Sequence, residues 1–191
     1  MRAILSAPID RGQARYARRL GRYSSIRGRS LTAYEQALER FAASRAGSWL
    51  FVHALNAIDR PLLAGTGGRV SVSAGAPVGL LESVGARTGR RRRTPLLYLA
   101  DDDRLVLVAS NGGRAEHPAW LHNLRRRPEV RFLSRERGWQ AYRAREAAGA
   151  DRDQCWKAAT DLFAGYERYQ RRAGGRTVPV VVLEPTATEP R

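Results

Sequence analysis

Val78-Gly79-Leu80-Leu81, then Val84-Gly85-Ala86-Arg87-Thr88-Gly89-Arg90-Arg91-Arg92-Arg93-Thr94-Pro95, then Leu96-Leu97-Tyr98-Leu99 is the stretch that decides the fold. Two runs of strand-forming residues flank a connection dense in arginine and glycine, which predicts a strand pair with a basic mouth. The same grammar continues downstream. Asp101-Asp102-Asp103 reads as a turn before Leu105-Val106-Leu107-Val108, and Ala109-Ser110-Asn111-Gly112-Gly113 as a polar exit from that strand. A helix opens at His117-Pro118-Ala119-Trp120, with Pro118 suited to its first turn and Pro128 to stopping it. Residues 130–133 and 139–144 read as strands, 151 to about 172 as a helical stretch, and 178–183 as the closing strand. Six strands joined mostly by hairpins, with helices inserted late, predict a mainly β, α+β domain built as a small antiparallel barrel. Alternating βαβ units with a glycine fingerprint are missing, which argues against a doubly wound dinucleotide fold.

Working upstream, Leu38, Phe41 and Ala42 recur at helical spacing, and a second helix over 48–58 carries the apolar run Trp49-Leu50-Phe51-Val52-His53-Ala54-Leu55. His53 within it reads as a hydrogen-bonded structural histidine, and the apolar run suits packing on the barrel or on another subunit equally well. Pro61 and the glycines at 65, 67, 68, 75 and 79 then break the pattern. The expected organisation is a basic, poorly ordered extension over 1–34, a helical arm over 35–74, the barrel domain over 75–185 and a tail over 186–191.

The chain has 191 residues, a net charge of +16 and a pI near 11.4, and Lys157 is its single lysine, so the charge is almost all guanidinium. Such a balance favours anionic partners without choosing among nucleic acid, a membrane surface and a charged small molecule. The aromatics are not interleaved with the arginines as a stacking platform requires, which argues against nucleic acid. Cys155 is the only cysteine, which excludes an internal disulfide, fits a reducing, cytoplasmic setting, and reads as a small buried hydrophobe. Residues 1–34 set eight arginines against Asp10, with scattered Ile4, Leu5, Tyr16, Leu20 and Tyr23. A segment of this kind can lie on an anionic membrane.

Arg87 and the run Arg90 to Arg93, with Gly85 and Gly89 between apolar strands, form a pattern suited to an anion: glycine turns present main-chain N–H groups, and arginine forks add bidentate bonds. A solvated loop in an arginine-biased chain has the same spacing. The three aspartates at 101–103 read as turn formers rather than metal ligands, since consecutive carboxylates cannot face one ion without a shaped loop. No metal site is expected.

Five motifs occur in order. They are Gly85-x-Arg87-Thr88-Gly89-x-x-Arg92-x-x-Pro95-Leu96, Val108-Ala109-Ser110-Asn111-Gly112-Gly113, His117-Pro118-x-Trp120-x-x-Asn123-Leu124, Gly165-Tyr166-x-x-Tyr169-Gln170 and the strand Val178 to Pro185. Together they resemble the deazaflavin-dependent nitroreductase family. The resemblance implies a split β-barrel of the FMN-binding type that binds coenzyme F420, a deazaflavin with a phosphate and an oligoglutamate tail. It implies that Ala86, Arg87, Thr88, Arg92, Arg93 and Thr94 hold the phosphate end, and that Pro95, Leu96 and Leu97 line the cofactor channel. Val108, Ala109, Ser110 and Asn111 would flank the ring, with Ala119, Trp120, Leu121, His122 and Asn123 as a helical wall. Trp120, Tyr166 and Tyr169 would border the substrate. Each also has a plain reading: Trp120 as core, the tyrosines as inward-packing helix residues, Ser110 as a strand-end hydroxyl. The chain departs from the family pattern at Arg87, where lysine is usual, at Arg91, where proline is frequent, and at Phe163-Ala164, where Tyr-Pro is common.

The resemblance implies an oxidoreductase that passes a hydride from reduced F420 to an electron-poor small molecule such as a quinone, nitroaromatic or enone, with Ser110 or Tyr166 supplying a proton or polarising the acceptor. The alternatives are a non-catalytic deazaflavin or lipid binder on the same scaffold, and a split barrel using FMN.

Overall fold

The computed structural model describes residues 55–71 and 76–186. The basic extension, the first amphipathic helix, most of the second helix with His53, and nearly all of the tail lie outside the described residues.

Seven strands form one antiparallel sheet: β1 (Val78–Val84), β2 (Arg91–Leu97), β3 (Leu99–Asp101), β4 (Arg104–Val108), β5 (Glu129–Ser134), β6 (Gly138–Glu146) and β7 (Val180–Pro185). They are ordered β2-β1-β5-β6-β7-β4-β3. The sheet wraps its inner side chains around one core. Leu81 from β1, Leu105 and Leu107 from β4, Phe132 from β5, Tyr142 from β6 and Val181 and Leu183 from β7 meet Trp120, Leu121 and Leu124 there. Those last three come from α2 (Ala119–Arg126). On the outer face, Val78, Leu80 and Leu133 pack around Leu63 of α1 (Arg60–Thr66).

Seven strands replace the expected six because the run at 96–99 divides at Tyr98. The Tyr98 N–H continues the β1–β2 register by one bond, to the Pro77 carbonyl at 2.9 Å, and Pro77 has no N–H to return it, so the ladder ends there. Its ring is buried edge-on to Phe132, with centroids 5.3 Å apart, and its hydroxyl donates to Glu136. One residue thus sends the chain from one end of the sheet order to the other.

The arginine run also moves. β1 extends to Val84 and β2 begins at Arg91, so Arg91 to Arg93 are strand residues and only 85–90 form the connection. The reason is cross-strand charge: Glu82 lies opposite Arg93 on one side and opposite Arg131 on the other.

Pro61 and Gly65 do not break α1. Proline is tolerated in the first turn, where its missing N–H has no helical partner, and the helix ends instead at Gly67, in the left-handed region with φ 64°. The expected stretch from 151 to about 172 is two helices, α3 (Gly149–Leu162) and α4 (Gly165–Arg172). Extended Phe163 separates them and sets its ring against Tyr166 and Tyr169 at centroid distances of 5.2 and 5.9 Å. The last strand starts at Val180 rather than Val178, because the Val178 N–H is taken by Gln170 Oε1 at 2.8 Å and Pro179 has none to offer. Cys155 is buried on α3, and burial pushes its thiol up to about 11, so it is inert as a nucleophile at neutral pH.

Candidate functional site

The β1–β2 connection is closed from within. Gly85 donates its N–H to the Arg90 carbonyl at 2.8 Å, and Gly89 donates to the Gly85 carbonyl at 2.9 Å. Gly85 is required by a close approach: a Cβ there would stand 3.0 Å from Thr88 Oγ1 and 3.2 Å from the Arg90 carbonyl oxygen. From outside, α2 holds the turn through Asn123. Its Oδ1 accepts the Ala86 N–H at 2.9 Å and its Nδ2 donates to Ser83 Oγ at 3.2 Å. A buried amide satisfied at both ends fixes the turn against the helix.

Strand alternation sorts the arginines onto two faces. Arg91 and Arg93 fall on the face of Glu82, which is only 6 % exposed yet has three guanidiniums around it: Arg93 Nε at 2.8 Å, Arg91 at 3.5 Å and Arg131 at 4.0 Å. Trp139 lies under two of them, with Arg93 and Arg131 each 5.2 Å from its ring centroid. Arg92 and Thr94 fall on the opposite, core-side face, with Arg92 paired in register to Ser83. Arg92 and Arg93 therefore project from opposite faces of β2. Arg87, Arg90 and Arg92 are exposed, and among the described residues no carboxylate lies within ion-pair distance of any of them.

The second part of the site is the exit from β4. Val108 packs with Tyr166, Tyr169, Ala173 and Val178. Ala109 is fully buried and donates its N–H to the Pro179 carbonyl at 2.9 Å. Asn111 sits at φ 50°, its amide donating to the Glu116 carbonyl at 3.0 Å. Gly113 accommodates a close approach of α4, since a Cβ there would stand 3.0 Å from both the Cα and the carbonyl oxygen of Tyr169. Two arginines that the sequence reading did not single out hold this loop. Arg172 donates to the Gly112 carbonyl at 3.0 Å and stacks on Tyr169 at 5.1 Å. Arg176 donates to the carbonyls of Ser110 and Arg114 at 2.9 and 3.0 Å. Nothing marks either of them in a chain with 34 basic residues.

The remaining expected site residues divide by environment. Tyr166 and Tyr169 are each 6 % exposed, with ring centroids 6.2 Å apart, and burial raises both phenols above their ordinary range. Trp120 and Leu121 are buried in the core cluster, as is Asn123 against the turn, while Ala119 and His122 face outward. Pro95 is buried; Leu96, which packs on the core, and Leu97, which packs on the outer-face cluster, are partly buried. Ser110 is 9 % exposed.

The sequence profile of F420H(2)-dependent quinone reductases matches residues 54–185. The chain belongs to the F420H(2)-dependent quinone reductase family. It is 34 % identical over 123 residues to the F420H(2)-dependent quinone reductase Rv1261c of Mycobacterium tuberculosis, covering 62 % of this chain and 82 % of that protein. Among solved structures it is similar to an F420-H2 dependent reductase, FDR-A, at 32 % identity and TM-score 0.51, covering 56 % of this chain and 94 % of that one. A second, described as a domain-swapped dimer, matches at 29 % identity and TM-score 0.56 over 66 % of this chain and 94 % of that one. The curled antiparallel sheet with its helices is the split β-barrel that the sequence predicted, and the family is oxidoreductive.

The donor set fits the cofactor that gives this family its name. Three exposed guanidiniums that have no carboxylate partner among the described residues lie on or next to one glycine turn, a chemistry suited to a phosphate and to carboxylates. The turn is tied to α2 and the Ser110–Gly113 loop to α4, as a preorganised binding surface requires.

Proposed function

We propose that this protein is an F420H2-dependent reductase of quinones and of similarly electron-poor nitroaromatics or enones. The observation that carries the reading is Arg87 and Arg90 on the turn that Asn123 ties to α2 and Arg92 on the adjoining strand, all exposed and, among the described residues, without a carboxylate partner. Reduced deazaflavin, when bound, supplies the hydride, and the acceptor also takes up one proton. Arg87, Thr88, Arg90 and Arg92 hold the anionic end. Thr94 and Leu96 line the core-side face of β2, and Val108 to Asn111 present the edge against which a ring can lie. Tyr166, Tyr169 and Trp120 border the acceptor. With its acidity suppressed by burial, Tyr166 suits hydrogen-bond polarisation of an acceptor oxygen better than outright proton transfer, which leaves Ser110 and solvent as the nearer proton route.

Titration with oxidised F420 and, separately, with FMN at two salt concentrations tests the reading. Tight, salt-weakened binding of F420 is expected; preference for FMN would overturn it. Stopped mixing of the enzyme and reduced F420 with menadione then separates a reductase, which reoxidises the cofactor, from a passive binder of the same fold.

Among the described residues no helix is long and apolar enough to cross a membrane. The arginine-rich segment 1–34 is proposed to add a peripheral contact with anionic lipid. Sedimentation with phosphatidylglycerol vesicles should lose the protein to the supernatant when that segment is removed.

A further inference from the structure

Arg176 is anchored by carbonyls and one imidazole, with no carboxylate at ion-pair distance among the described residues. Its Nε donates to the Arg114 carbonyl at 3.0 Å, and Nη2 to the Ser110 carbonyl at 2.9 Å. Its Nη1 lies 3.5 Å from the Ala109 carbonyl and 3.4 Å from His117 Nδ1. Burial lowers the guanidinium pKa, and Glu116 acts against this only from a distance. A partly desolvated cation without a counter-charge is a poor device for stability alone, since a neutral filler would avoid the desolvation. A rigid fork that reaches three carbonyls of one loop and a ring nitrogen is a device for shape. Guanidinium only donates, so His117 Nδ1 must accept, and the neutral ring then carries its proton on Nε2.

We infer that Arg176 is a positioning residue of the reductase site, fixing the main chain from Ala109 to Arg114 and holding His117 as a neutral imidazole protonated on Nε2. The reductase part rests on the function proposed above; the histidine part does not. An imidazolium at position 117 would set an N–H against a guanidinium N–H. The surroundings point the same way: burial, then the charges of Arg125, Arg176 and His122, lower the His117 pKa, and Glu146 alone opposes them. The Nε2–H becomes a hydrogen-bond donor of fixed direction beside the first turn of α2, and it stays uncharged at neutral pH. Because Arg172 ties the same loop to α4 through the Gly112 carbonyl, the Ser110 edge and the tyrosine helix are held as one piece.

The test is imidazole NMR on the full chain without cofactor, with the His117 resonance assigned by His117→Gln, together with F420 affinity measured by fluorescence. Arg176→Gln should raise the His117 pKa and scramble its tautomer, and weaken F420 binding ~10-fold, as expected for losing charged hydrogen bonds that shape a site. Arg176→Lys should keep the low His117 pKa through its charge but not rescue F420 affinity, because an ammonium cannot span three carbonyls. Arg172→Gln should leave the His117 titration unchanged. Identical His117 titrations in the wild type and Arg176→Gln would overturn the histidine part. Unchanged F420 affinity in Arg176→Lys, which also serves if the glutamine variant fails to fold, would overturn the positioning part. A wild type that binds no F420 would instead count against the proposed function, while the His117 titration still decides the rest.

Discussion

Asn123 of α2 accepts the backbone N–H of Ala86 at 2.9 Å, so a helix whose other buried residues belong to the barrel core also sets the position of the arginine turn. The single side chain couples core packing to the position of the turn. Asn123→Ala strands the Ala86 N–H and leaves Ser83 without a partner, and should cost about 1–3 kcal/mol of stability. Chemical denaturation measures that loss. F420 titration should show weaker binding in the same variant, and unchanged binding would separate the turn from the cofactor.

Arg92 and Arg93 are neighbours in sequence with opposite outcomes expected. Arg92→Ala should weaken F420 binding about tenfold or more and flatten its salt dependence, since an unpaired cation is removed from the anion's side of the sheet. Arg93→Ala should leave cofactor affinity nearly unchanged and shift the melting temperature instead, because its guanidinium serves Glu82 and Trp139. Equal losses of affinity in the two variants would refute the two-face arrangement.

Glu82→Gln removes the one negative charge among Arg91, Arg93 and Arg131. The exposed heads of the arginines keep water, which limits the repulsion. The variant should lose about 1–3 kcal/mol in denaturant, most of it recovered at high salt, where mutual repulsion is screened. Full loss persisting at high salt would point to packing rather than charge.

Tyr166 contributes a pH dependence in the alkaline range. Its phenol is raised above the ordinary tyrosine value of about 10, by burial first and then by Tyr169, so the folded state keeps a proton that the unfolded state gives up. Its stabilising share is complete below that ordinary value and is lost as pH climbs through and beyond it. Denaturant midpoints should therefore fall in the alkaline range, and less so in Tyr166→Phe. Turnover with menadione should fall in that variant without a new ionisation near neutrality, since polarisation rather than proton release is the expected role.

The sequence alone exposed the antiparallel barrel, the helix between Pro118 and Pro128, and the order of the motifs, because hydrophobic period, proline placement and glycine turns are local signals. What it hid is long-range. That β1 reaches Val84 and β2 starts at Arg91 depends on Glu82 finding Arg93 and Arg131 across two neighbouring strands. That the run at 96–99 divides depends on Tyr98 falling opposite Pro77, which accepts its N–H but has none to return. The clamp by Arg176 spans 66 residues to Ser110, and no composition in its own neighbourhood announces it.

The alternation along β2 also bears on how this barrel tolerates change. Arg90 to Arg93 is a homopolymer, so sliding the strand by one position would put two guanidiniums on each side, just as before. Charge is blind to such a slip. What detects it is the far end of the strand, where buried Pro95 and core-packed Leu96 would exchange sides. Register at the arginine-rich end is thus enforced by greasy residues at the other end of the strand, and loop-length variants of this turn should be screened at Leu96 rather than at the arginines.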